Sequence, residues 1–185
     1  MKVLLTLFVL LFSSSVVADD IRDFLIEGMS VGDSALDFFT EEEITKSKKS
    51  YYPESKKYYR IQTKSNLNEY DVLQINMKSN DDRYILHALS GILKFDDMNK
   101  CELKRKNILN DITLILQDFK KQEYTYNYPN DNSVSQVTNF EIQDGIVRIY
   151  CTDYSISREE QNFEDHLGVN LSSSEFTEWL YYEAR

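Results

Sequence analysis

Apolar and polar positions change period several times along the chain, and each change marks a predicted element. Tyr58 to Thr63, Tyr70 to Lys78 and Tyr84 to Phe95 read as strands. In the second run Leu73, Ile75 and Met77 share one side, while Val72, Gln74, Asn76 and Lys78 share the other, the two-residue period of a pleated strand. Asn66-Leu67-Asn68 and Ser79-Asn80-Asp81-Asp82 are turn clusters between these runs, so the three form an antiparallel meander. The period then becomes helical. Cys101, Ile108, Ile112, Ile115 and Phe119 fall on one face of a helix predicted over Asn99 to Phe119, with Leu109 and Leu116 widening it. Lys104, Arg105 and Lys106 lie near the opposite side. Each large apolar side chain buried on that face contributes roughly 1.5–3 kcal/mol, which makes this helix a lid over a sheet. Val137 to Ile142 and Ile146 to Tyr154 are strand-like and joined through Asp144-Gly145, a hairpin signal.

Shorter signals fill in the ends. Phe24-Leu25-Ile26 reads as a first strand, followed by a turn bracketed by Gly28 and Gly32. Asp33 or Ser34 caps a short helix carrying Ala35, Leu36, Phe38 and Phe39. Thr40 with Glu43 has capping-box spacing and predicts a second short helix to about Lys46. Lys46 to Lys57 is a polar loop broken by Pro53, and Tyr124 to Asn132 is a loop of Tyr, Asn and Pro. After a polar excursion from Ser155 to Asp165, Leu167 to Leu171 forms a last strand. Ser172 with Glu175 caps a closing helix whose apolar face is Phe176, Trp179 and Leu180. No internal repeat or Pro/Gly/Ser-rich linker divides the chain. The expectation is one α+β domain, a mainly antiparallel sheet covered by one long helix, with short helices at both ends.

The first eighteen residues follow a different logic. A positive Met1-Lys2 precedes the unbroken apolar run Val3 to Phe12, and Ser13 to Ala18 is a small-residue exit before Asp19. This is the three-part layout of a secretory signal peptide. The run is too short to cross roughly 30 Å of hydrocarbon as a helix. The competing reading, a buried N-terminal helix, suits few sequences lacking a polar face. The predicted division is residues 1–18 as signal peptide and 19–185 as the domain, placing the protein in the periplasm or outside the cell. No Cys stands at the cleavage position to carry a lipid, and no later segment is apolar enough to span a membrane.

Composition narrows the partners. The chain has 185 residues, 42% hydrophobic and 13% aromatic, enough for a sizeable core. Its net charge of -10, with both ends acidic around a near-neutral middle, argues against nucleic acid as a partner, since phosphate binding needs the opposite sign. Cys101 and Cys151 are the two cysteines, and in an oxidising compartment such a pair commonly forms a disulfide. The alternatives are two buried free thiols, or a reactive Cys101 at its helix N-terminus. His87 and His166 lack any metal-ligand spacing and read as structural rather than catalytic. No G-x-S-x-G, P-loop or G-x-G-x-x-G is present, and no cofactor, metal or catalytic residue is nominated. Asn130, Asn132 and Glu141 match three positions of a calcium loop, but Val134 and Ser135 break it. Tyr124, Tyr126 and Tyr128 alternate beside Asn127 and Asn130, and could bind a carbohydrate, peptide or protein. Their other reading is an edge strand or loop whose rings pack on the core. Asn170-Leu171-Ser172 matches a glycosylation sequon.

The segment Ile26-Glu27-Gly28-Met29-Ser30-Val31-Gly32-Asp33-Ser34, with Leu36, Phe38, Phe39 and Glu41-Glu42-Glu43-Ile44, resembles the mature start of small exported proteins of unknown function from low-GC marine bacteria. Cys101, Cys151, Asp165-His166-Leu167, Ser174-Glu175-Phe176 and Trp179-Leu180 are similar too. The resemblance implies a bacterial exported protein and carries over no catalytic residue. The Gly28 to Phe39 turn-helix also resembles small outer-membrane-assembly lipoproteins, whose lipid-bearing Cys and Leu-Gly-x-Pro element are missing here. The expected function is a non-catalytic binding or accessory protein of the cell envelope or extracellular space. The alternative is a small secreted or periplasmic hydrolase. A hydrolase requires a pocket joining His87 or His166 to a nucleophile or carboxylate. A binding module requires Tyr124, Tyr126 and Tyr128 to be exposed without one. A structural accessory requires an exposed apolar patch.

Overall fold

The computed structural model describes residues 20–116 and 119–184. The segment read as a signal peptide lies outside the described residues. Eight strands form one antiparallel sheet: β1 (Ser50–Tyr52), β2 (Ser55–Thr63), β3 (Val72–Lys78), β4 (Leu86–Lys94), β5 (Lys120–Asn127), β6 (Val134–Ile142), β7 (Gly145–Asp153) and β8 (His166–Ser173). Their spatial order is β1-β2-β3-β4-β8-β7-β6-β5. Two four-stranded meanders therefore meet through their last strands. Each follows a helix, α1 (Glu41–Lys46) or α2 (Met98–Ile115), so the halves share an order of elements without sharing a repeated sequence. The α+β class with an antiparallel sheet is as expected.

One face of the sheet carries the main core. Tyr59, Ile61, Leu73, Ile75, Leu89, Val147, Ile149, Leu167 and Leu171 project to this side and pack with Ile21, Ile26, Met29, Ile44, Leu109 and Leu116. Cys101 near the start of α2 and Cys151 on β7 form a disulfide, with Cα atoms 6.1 Å apart. Both are fully buried, so the bond fastens helix to sheet at the core.

The expected single long cover is corrected in two ways. α2 stops at Ile115 rather than Phe119, and its buried stripe is rotated toward Leu109 and Leu116, leaving Ile115 43% exposed. β-branched Ile112, Thr113 and Ile115 weaken the last turn, and the chain must then turn back to begin β5 at the sheet edge. The helix packs on β7 and β8. Over β2 to β4 the cover is the N-terminal segment instead, where Ile26, Met29, Ala35 and Ile44 are buried. Phe24–Ile26 is not a strand. Ile26 and Met29 instead exchange backbone hydrogen bonds around Glu27 (φ 53) and Gly28 (φ 81), the two left-handed residues of a tight turn. Glu27 accepts from the backbone N–H groups of Asn68, Glu69 and Tyr70, tying this turn to the loop between β2 and β3.

Near the N-terminus the second short helix is as expected, while the first is shorter and leaves Phe38 and Phe39 beyond its end. Ser34 caps a 3-10 turn over Ala35–Asp37, and Thr40 with Glu43 forms a full capping box on α1. The polar loop Lys46 to Lys57 is corrected: it contains β1 and the start of β2, turning at Pro53-Glu54. Pro53 was compatible with this because it occupies the turn, not the ladder. The loop assigned to Tyr124 through Asn132 is corrected as well, since β5 runs to Asn127. A four-residue helix α3 (Ile156–Glu159) sits in the polar excursion. The closing helix α4 (Ser174–Tyr182) is capped by Ser173, not Ser172. Its Phe176 and Trp179 pack on Tyr58 and Ala88 across the second face of the sheet. Among the described residues no helix is long and apolar enough to cross a membrane.

Candidate functional site

The second face of the sheet is covered at one end by α4; beyond it Gln62, Gln122 and Tyr124 are exposed and Gln74, Arg148, Tyr150 and Asn170 half-buried, with Val72, Ser90, Val137 and Asn139 buried among them. Antiparallel pairing stacks its side chains in rows that run across the strands. One row is polar throughout: Gln62, Gln74, Ser90, Asn170, Arg148, Asn139 and Gln122 are successive partners from β2 to β5. Its members interlock. The Asn170 side-chain amide donates to Ser90 Oγ at 2.9 Å and to the Leu89 carbonyl at 3.0 Å. Arg148 Nε donates to Asn139 Oδ1 at 2.9 Å, and Arg60 donates to Gln74 Oε1 at 3.2 Å. The adjacent row, farther from α4, is apolar and aromatic: Val72, Ile92, Gly168, Tyr150, Val137 and Tyr124.

Tyr150 organises the centre of this face. Gly168 stands opposite it on β8, and a Cβ at Gly168 would collide with the Tyr150 ring. The glycine thus lets the ring lie down across the neighbouring strand. Burial raises the Tyr150 pKa, while the charges of Arg148 and Arg60 pull it down. Arg148 precedes Tyr150 by two positions on β7 and so shares its face, and Arg60, two positions before Gln62 on β2, lies on that face as well. Arg22, Arg83, Arg105 and Arg158 each pair with a carboxylate. Arg60 and Arg148 form no ion pair among the described residues.

The tyrosines nominated from sequence join this face. Tyr124 and Tyr126 occupy alternate positions of β5, at the edge of the sheet, and are 41% and 46% exposed. Tyr128 follows the strand and is half-buried. Its ring lies edge-on to Tyr126 at 4.9 Å and 6.3 Å from Tyr154. The Tyr154 and Tyr150 rings each lie 5.7 Å from His166. An aromatic track thus runs from the exposed edge to the centre of the open face. The Tyr128 loop is anchored from below. Hydrogen bonds from Ser133 and the Arg158 guanidinium hold the Asp131 carboxyl down at about 2, and Ser133 Oγ accepts the Ser155 N–H at 3.0 Å.

Neither histidine is joined to an open reactive centre. Burial lowers the pKa of both. His87 stacks edge-on against Tyr58, with Nδ1 3.8 Å from Glu175 of α4. His166 Nδ1 lies 3.0 Å from the Glu164 carbonyl. Opposite it, Thr152 shares a hydrogen bond with Ser135, but both hydroxyls are buried beneath the tyrosine track. Among the described residues no group of three or more His, Cys, Asp and Glu side chains is arranged to hold a metal ion. A cavity of about 430 Å³ lies on the opposite face, between α1 and β2, with Met29, Phe39, Ile44 and Leu67 in its lining.

Sequence reasoning found Tyr124, Tyr126 and Tyr128 but missed Arg60, Arg148, Tyr150, Tyr154 and the polar row. A signal for β7 was present: Ile146, Arg148, Tyr150 and Thr152 alternate with the purely buried Val147, Ile149 and Cys151. The row itself exists only once register is set. No family model matches the chain, and no curated protein or solved structure matches it.

Proposed function

We propose that this chain is an exported, non-catalytic binding or accessory protein of the cell envelope or extracellular space, and that it engages its ligand through the open face of the sheet. One observation carries the reading. An organised polar row lies beside an aromatic row on a face that α4 covers at one end, and the exposed Tyr124 and Tyr126 continue it to the sheet edge. Tyrosine supplies large rigid contact area with a polar tip, and amides supply paired donors and acceptors, the chemistry of recognition surfaces. The disulfide supports an oxidising compartment. The hydrolase alternative has less support, because His87 and His166 are packed against rings and the hydroxyls nearest His166 are buried.

Affinity capture from the native envelope fraction tests the reading, using oxidised wild-type protein beside a Tyr124→Ala/Tyr126→Ala variant. Both side chains are exposed, so the variant is expected to fold. Loss of the captured species in the variant is the expected result; equal capture refutes the assignment to this face. Intact mass of the exported product tests the compartment, with a start at Asp19 expected.

A further inference from the structure

The charge on the open face identifies the kind of ligand. The chain is acidic overall, yet the two arginines without a carboxylate partner among its described residues both sit on this face. Arg60 stands on β2 and Arg148 on β7, and each donates to an amide of the polar row, Gln74 or Asn139. A guanidinium bonded only to a neutral amide keeps donors for a planar anion, since Arg binds carboxylate through two parallel hydrogen bonds. The net charge of -10 works against a long polyanion. It tolerates one or two carboxylates placed at the arginines. Beside them one row presents the half-buried Ile92 and Tyr150 and the exposed Tyr124, with Val137 buried between the tyrosines. At the two ends of the polar row the exposed Gln62 and Gln122 present amides suited to a peptide backbone.

Tyr and Arg are also the residues that dominate protein–protein interfaces.

We propose that the open face binds a protein segment carrying one or two acidic residues among apolar ones, with the carboxylates on Arg60 and Arg148 and the apolar side chains on the tyrosine track. This rests on the binding reading above and specifies its partner.

The test is selection of a phage-displayed random 12-residue peptide library on the oxidised full chain, beside a glycan array. The expected peptides are enriched in Asp or Glu flanked by apolar or aromatic residues. Arg60→Gln and Arg148→Gln should each weaken the best peptide by about tenfold to hundredfold. Lys104→Gln, on exposed helix surface, should leave it unchanged. Arg60 is exposed, so its variant remains informative if Arg148→Gln fails to fold. Any of four results overturns the proposal: no enriched peptide, enrichment without acidic residues, affinities indifferent to both arginines, or binding confined to glycans. Capture of an endogenous ligand that depends on Tyr124 and Tyr126 but not on the arginines would leave the binding reading standing and remove this one alone.

Discussion

Removing the Cys101–Cys151 bond is expected to cost a large share of the stability of this domain. The bond joins residues separated by 50 positions, at sites where both side chains are fully buried. In the chain-entropy treatment a closed loop of that size restrains the unfolded chain by about 4 kcal/mol. A domain of this kind has a total of about 5–15 kcal/mol, so the loss is not marginal. At about 2–4 °C per kcal/mol, the melting temperature should fall by roughly 8–16 °C. The cleanest perturbation is Cys101→Ala/Cys151→Ala, because serine would bury two hydroxyls in an apolar core. Urea unfolding of the oxidised wild type and the double variant provides the assay. The variant should show a lower midpoint and a steeper denaturant dependence, since its unfolded chain is less compact. Reduced and alkylated wild type tests whether native isolates carry the bond. Equal midpoints, within about 1 kcal/mol, would refute the reasoning. They would mean that α2 is held by Leu109, Leu116 and their neighbours regardless of the cross-link.

Two further outcomes are expected. Gly168→Ala should destabilise by about 1–3 kcal/mol and alter near-UV tyrosine dichroism, because its new methyl meets the Tyr150 ring; in a Tyr150→Ala background the same change should cost much less, and a cycle showing simple additivity would deny that the two residues are packed together. His166 and His87 both have folded pKa values below the ordinary imidazole value, mainly through burial, so folding favours their neutral forms. Their contribution is fully present above about pH 6.5 and declines as pH falls through that value, since the unfolded chain then binds more protons. Urea midpoints should drop between pH 7.5 and 5, less steeply in His166→Gln; a flat profile would contradict the assignment.

Much of the scaffold could be read locally, and the reason lies in which interactions are local. Thr40 with Glu43, Ser34 before Ala35, and Asp144-Gly145 between two alternating runs each form their structure within a few residues, so sequence alone determined them. The two cysteines and the helical spacing around them foretold a helix fastened to a strand. β1 and β5 lie at the two edges of the sheet and bury little apolar surface. β1 carries no clear two-residue signal, whereas the alternation of Tyr124, Tyr126 and Tyr128 left an edge strand and a loop both open, and pairing with β6 decides for the strand through Asn127. The end of α2 escaped notice for another reason: Ile115 continues the apolar pattern, but the buried stripe is set by what β7 and β8 present to the helix. The candidate site depended most on tertiary structure. Tyr124, Tyr126 and Tyr128 stand together in the chain and were visible. Arg60 lies far in sequence from Tyr150, His166 and Asn170, and only the pairing of β4 with β8 places the two meanders side by side on one face. Pairing register decides that face, because a shift of one residue would turn every arginine and tyrosine on it toward the core.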